Sequence, residues 1–206
     1  MNLSSLFLPT IVLSLCCTGP ARVAAQSPDT AALKSAAIND IQSKYSDYKA
    51  IALQIWKYAE VGYKEVKSSA LLQKTLTDNG FTVKAGVAEI PTAFVASYGS
   101  GSPVIGILAE FDALPGLAQQ SVPEKMPVEG QPAGHGCGHN LFGTASVAAG
   151  IEIKNLIAAG KLGGTIRVYG CPAEEGGDGK VYMVRAGLFN DVDIVIHWHP
   201  GDANSV

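Results

Sequence analysis

The stretch Val104-Ile105-Gly106-Ile107-Leu108-Ala109-Glu110-Phe111-Asp112 decides how the chain is read. Its first six residues are apolar without alternation, which does not suit a strand with one wet face. It suits a strand covered on both sides. Two carboxylates follow at once, on Glu110 and Asp112. Downstream, Leu141 to Ala159 reads as a helix, small and apolar on its buried side and closed by Gly160. A β-prone run follows at Thr165 to Cys171, then a helix near Val181 to Ala186 and a third apolar run at Val192 to Ile196. Strand, helix, strand, helix, strand predicts an α/β fold with helices packed on both faces of a mostly parallel sheet.

Upstream the period is helical. Ser27-Pro28 looks like a helix start, and apolar residues recur at Ile41, Tyr45, Tyr48, Ala52, Ile55 and Ala59. A second helix is expected over Ser68 to Asn79, with Asn79-Gly80 as its left-handed stop. Thr92 to Tyr98 and Pro103 to Leu108 are short β-prone runs joined by Gly99-Ser100-Gly101-Ser102, which reads as an antiparallel hairpin. Leu117 to Gly134 is a polar loop rich in Pro and Gly.

The first 25 residues read as a signal peptide. Leu6 to Cys17 is an apolar run too short to span a bilayer, and Val23-Ala24-Ala25 offers a cleavage site. Secretion, with cleavage near Ala25, is the expectation. No later stretch reads as a membrane helix, and a formal net charge of -3 with no basic cluster argues against nucleic acid and anionic membranes as partners.

In a parallel sheet, ligands sit beyond the carboxyl ends of the strands. Glu110 and Asp112 follow the first run, Glu174 and Glu175 the second, and His197 and His199 the third. His135-Gly136-Cys137-Gly138-His139 opens the intervening helix on the same edge. Thiol, imidazole and carboxylate together are the donor set that binds a divalent metal and activates water. The helix end is expected to lower the Cys137 thiol pKa. His135 reads as a supporting or solvent-exposed ring rather than a ligand. Glu174 and Glu175, on extended backbone, should point in different directions, one holding metal and the other reaching the water. Either His197 or His199 could ligate, since alternation sends both to one face. A buried carboxylate at Asp112 or Glu110 would orient a ligand or sit beside the metal. Cys16 and Cys17 leave with the leader, so Cys137 and Cys171 could instead pair as a disulfide.

Ile90-Pro91-Thr92-Ala93-Phe94, Glu110-Phe111-Asp112-Ala113-Leu114, Gly134 to Leu141, Tyr169 to Gly177 and Trp198-His199-Pro200 resemble peptidase family M20, metallopeptidases and amidohydrolases, in its aminobenzoyl-glutamate hydrolase-like branch. The resemblance implies Cys137, His139, Glu175 and His199 as ligands of two divalent ions, zinc or manganese, with Glu174 as catalytic base and His197 as reserve ligand. It implies hydrolysis of a small-molecule amide or dipeptide joining an acyl or aroyl group to an amino acid, and a homodimeric full-length form. Residues 26–206 then read as the N-terminal part of a metallohydrolase catalytic domain, truncated before a lid domain and a further histidine ligand. The alternative is a non-catalytic metal-binding remnant of such an enzyme.

Overall fold

A computed structural model describes residues 29–203, so the leader assignment and the Ser27-Pro28 helix start lie outside the described residues. The first helix, α1 (Thr30–Ser43), is capped by Asp29, whose carboxylate accepts from Ala31 N at 3.0 Å. It breaks at Lys44 and gives way to α2 (Tyr45–Tyr58), which buries Ala52 and Ile55. Helix α3 (Val66–Asp78) follows, its first turn held by the Glu60 carboxylate, which accepts from Lys67 N, Ser68 N and Ser68 Oγ. Gly80, at φ 86°, supplies the expected stop.

The main sheet contains β1 (Thr82–Ala85), β2 (Phe94–Ser100), β3 (Val104–Glu110), β6 (Gly164–Cys171) and β7 (Ile194–Ile196) in the order β1-β2-β6-β3-β7. A two-stranded sheet pairs β4 (Leu114–Pro115), just before the expected polar loop, with β5 (Ala133–Gly134) at that loop's end. The long helix α4 (His139–Ala158) connects β3 to β6, and α5 (Glu174–Gly177) and α6 (Gly179–Arg185) lie between β6 and β7. Strands β6 and β7 run parallel to β3 on either side of it, whereas β2 is antiparallel to β1 and β6. Four of the five strands therefore point one way, and the sheet is α/β and mostly parallel.

The expected hairpin is corrected by the register. β2 and β3 are consecutive, yet they do not pair; β6 lies between them, with Ala96 opposite Val168 and Ile107 opposite Val168 from the other side. The antiparallel neighbour of β2 is the short β1, where Val83 faces Ala96. A Gly-Ser connector permits a hairpin but does not enforce one. The apolar strand β6 instead pairs with both, antiparallel to β2 and parallel to β3.

Alternation along the central strands divides the core. Ile107 and Ala109 of β3, with Ile166 and Val168 of β6, join Ile55, Leu72, Leu76, Val147 and Ile151 from the helices. Leu108, Tyr169 and Cys171 point to the opposite cluster with Val87, Ile90 and Met183. Both faces are covered, as the unbroken apolar run of β3 requires. Helix α4, at 20 residues, does have the length and composition to cross a membrane, contrary to the sequence expectation. It is instead a core helix against β3, β6 and α2. The outer strand β7 is exposed at Ile194, Val195 and Ile196.

Candidate metal centre

Because β6 and β7 flank β3, the segments leaving their carboxyl ends converge above β3. At the end of β3, Glu110 and Asp112 are both buried. Gly138 turns the incoming loop into α4 at φ 82°, and a Cβ there would lie 3.2 Å from Pro200 Cγ. Glycine at this position both permits the left-handed turn and lets the post-β7 loop close over it. Thus Cys137 and His139 arrive beside His199.

His139 is fully buried. Its Nδ1 lies 3.1 Å from the Asp112 carbonyl oxygen and 3.0 Å from Asp112 Oδ1. Both are acceptors, so this network assigns the ring proton to Nδ1 and leaves Nε2 bare. Nε2 faces Glu110 Oε2 at 3.2 Å and Glu174 Oε2 at 3.9 Å, ion-pair distances without a hydrogen bond. A bare nitrogen lone pair against carboxylate oxygens is repulsive, and a proton or cation between them removes the repulsion. Burial opposes charging this ring. The hydrogen bond and charge of Asp112, then Glu110 and Glu175, outweigh it and raise the pKa above the ordinary histidine value.

On the other side, Cys137 Sγ is 3.3 Å from His199 Nε2, while His199 Nδ1 donates to Pro200 O at 2.8 Å. The donor atoms of Cys137, His139 and His199 lie within 4.8 Å of one another, and so do those of Glu110, His139 and Glu174. His139 is common to both groups. The Cys137 thiol is pushed up to about 11, by burial first and then by Glu175, Glu174 and Glu110, so the helix end does not lower it as expected. Surrounding carboxylates outweigh the helix end; a bound cation would reverse that balance.

Glu174 and Glu175 do not sit on extended backbone. They open the single turn α5, entered through Ala173 at φ 56°. Adjacent residues on a helical turn diverge by about 100° rather than 180°, and the two carboxylates do separate. Glu174 Oε2 is the one facing His139, while Glu175 Oε1 is buried without a partner. Asp112 holds both sides of the centre, for its Oδ2 accepts from Glu175 N at 2.9 Å while Oδ1 engages His139. One carboxylate thereby fixes an imidazole and a carboxylate from two different loops.

His135 is buried, not solvent-exposed, with Nε2 3.1 Å from Ile55 O; burial lowers its pKa to about 4. His197 Nε2 is 3.3 Å from Glu110 Oε1, and Lys180 Nζ bonds the same oxygen. His197 is therefore engaged with Glu110, whereas His199 is beside Cys137. Cys137 and Cys171 are both free thiols, so they do not form the alternative disulfide. Cys171 is a core thiol whose pKa burial pushes up to about 12.

Two functional residues escaped the sequence reading. Glu65 is fully buried, accepting from Ala173 N at 2.8 Å and from Thr92 Oγ1 at 3.1 Å, and so holds the turn that carries Glu174 and Glu175. Lys180 counterbalances the buried Glu110. The Glu110 signal was readable as a buried carboxylate in need of a cation. Nothing local marked Glu65, which lies 108 residues from Ala173.

Thiol, imidazole and carboxylate atoms left facing one another suit a borderline-soft divalent ion, and the bare His139 nitrogen with the unpartnered Glu175 oxygen fits that reading. The fold and donor set define an α/β domain with a candidate metal centre at the carboxyl rim of its sheet. Residues 106–206 match Peptidase family M20/M25/M40, and the chain belongs to the M20 family. It is 48% identical over 165 residues to a subunit of the p-aminobenzoyl-glutamate hydrolase of Escherichia coli, covering 80% of this chain and 34% of that protein. It is 29% identical to the hippurate hydrolase of Campylobacter jejuni over 79% of this chain and 41% of that one. Among solved structures, a dinuclear metal binding peptidase of the M20 family from Bacillus subtilis superposes with a TM-score of 0.66 at 25% identity, over 78% of this chain and 44% of the other. The chain spans 34% and 41% of the length of these two curated relatives.

Proposed function

We propose that this chain carries a metal-binding site of an amide hydrolase that splits an acyl or aroyl group from an amino acid. The observation that carries the reading is the Nε2 of buried His139, left without a hydrogen-bond partner and set between Cys137 and His199 on one side and Glu110 and Glu174 on the other. Cys137, His139, Glu175 and His199 would hold two divalent ions, zinc or manganese. Such ions, when bound, acidify water and take up charge on a carbonyl oxygen.

The side chains supply the rest. Glu174, partly exposed and free to meet substrate, takes a proton from the attacking water at its carboxylate as the oxygen bonds to the amide carbon. When the carbon–nitrogen bond breaks, Glu174 returns that proton to the departing amine nitrogen. Asp112 keeps the proton of His139 on Nδ1 and holds the backbone of Glu175, so neither group must reorganise during the reaction. Names of the relatives support amide-bond substrates, and the E. coli protein supports the aroyl case.

Replacing Glu174 by glutamine tests the assignment. Metal content by atomic absorption should stay unchanged while kcat falls by roughly 10²- to 10⁴-fold. Full activity in that variant would refute the base role. We also propose export of the protein with removal of its leader, which predicts a secreted product beginning at Gln26; a product retained in the cell with Met1 intact would contradict it.

A further inference from the structure

Past Ile196 the chain leaves the ladder of β7 and almost at once places His199 against Cys137. Two histidines compete for that place. His197 and His199 stand two residues apart, so sliding the extended segment by two exchanges one for the other and keeps every side chain on its face. We propose that Trp198, between them, is a positioning residue that blocks this slide and so selects His199 as the histidine facing Cys137. The inference rests on the metal-site reading above and adds to it the device that sets one of its ligands.

The anchor is a hydrogen bond. Trp198 Nε1 donates to Ser146 Oγ at 3.0 Å, and Ser146 is buried on α4, the helix that opens with His139. The indole therefore fastens the segment after β7 to the same rigid element that presents His139. Phe142, between His139 and Ser146 on that helix, meets Trp198 edge-on with ring centroids 5.4 Å apart. The same buried ring meets His197 at 5.0 Å and His199 at 6.0 Å. Three successive side chains of the segment are thus sorted around one phenylalanine.

Neither the strand nor close packing does this work in place of the bond. Asp193 N donates to Val104 O at 2.9 Å and fixes the start of β7, but the pairing with β3 ends at Ile196. Trp198 itself is part-exposed and borders a cleft of about 470 Å³ between α1, α2 and α4, walled by Tyr45, Leu53 and Leu141. Open space on that side leaves the indole held chiefly by Ser146. A slide that brought His197 to Cys137 would set Ile196 in the place of Trp198, where it offers Ser146 no donor. Trp198 would then fall where Pro200 now packs on Gly138, so closely that a Cβ on that glycine would lie 3.2 Å from Pro200 Cγ. An indole does not fit there.

Titration of the chain with cobalt(II) tests the selection, with the near-ultraviolet thiolate-to-cobalt band reporting Cys137 in the site. In the native chain His199→Ala should weaken cobalt binding at least ~10-fold more than His197→Ala does. Ser146→Ala and Trp198→Phe remove the acceptor and the donor of one bond. Each should weaken cobalt binding by roughly 3- to 10-fold, and the two together by no more than either alone. In a Trp198→Ala background the two histidines should become interchangeable, with the costs of His199→Ala and His197→Ala agreeing within about 3-fold. A preference for His199 that survives Trp198→Ala overturns the selection. So do losses from Ser146→Ala and Trp198→Phe that show in urea denaturation and leave cobalt affinity unchanged. Should Trp198→Ala fail to fold, that milder pair decides alone. Absence of the thiolate band from the native chain overturns the metal reading itself, and the selection with it.

Discussion

Leu72, Phe94 and Val168 in the body of the sheet and Glu65, Asp112 and His139 at its rim are all withdrawn from water, yet they are held by different means. The body side chains touch other apolar groups and are satisfied by contact alone. The rim side chains depend on specific hydrogen bonds, several of them to backbone atoms of a distant loop. Among the described residues, the buried side-chain atoms without a partner are His135 Nδ1, His139 Nε2, Asn140 Oδ1 and Glu175 Oε1, all at the rim. Unsatisfied polar atoms destabilise a fold. Stability is therefore concentrated in the body, and the rim is shaped by what it must bind.

The largest separation of the two regions should come from Leu72→Ala, expected to cost about 2–5 kcal/mol in urea denaturation while the folded protein keeps its metal stoichiometry. A loss of metal affinity at full occupancy of the native fold would show that the regions are not independent. Next in size is an acid effect at His135. Its folded pKa of about 4 lies below the ordinary 6.5, so folding favours the neutral ring. That contribution is complete above pH 6.5 and is lost as pH falls through 6.5 toward 4, reaching on the order of 3 kcal/mol. Denaturation in chelator at stepped pH should show this slope, and His135→Phe should flatten it; an unchanged slope in the variant assigns the effect elsewhere.

A smaller effect is predicted at Glu65. Alanine there strands Ala173 N and the Thr92 hydroxyl, costing roughly 1–3 kcal/mol. Glutamine, which can still accept from Ala173, should restore much of it, and equal losses in the two variants would remove the hydrogen-bond explanation. Smallest in its effect on stability is Asp112→Asn, expected to weaken metal binding by about 10- to 100-fold with little change in the denaturation midpoint. A variant that unfolds but binds metal normally would reverse the assignment of Asp112 from rim to body.

Much of this arrangement was legible because its residue types are out of place in an apolar context. Carboxylates at Glu110 and Asp112 directly after a fully apolar strand, and a thiol with imidazoles at a glycine-rich helix entry, announce themselves locally. The opposite holds where distance in sequence decides. The β2 and β3 runs looked like partners because only their connector was visible, whereas β6, more than fifty residues on, takes the place between them. Likewise the Glu174-Glu175 turn depends on the left-handed Ala173, and that conformation is enforced by Glu65 and the packing of Gly62. An alanine gives no local sign that it will adopt positive φ.

Strand β7 has a practical consequence. Among the described residues it is the last strand on its side of the sheet, and Ile194, Val195 and Ile196 leave both a row of backbone donors and acceptors and an oily surface open to neighbours. Preparations of this chain should self-associate as concentration rises, through strand-to-strand addition along that border. A lysine in place of the exposed Val195 acts as a gatekeeper there, keeping the polypeptide in solution.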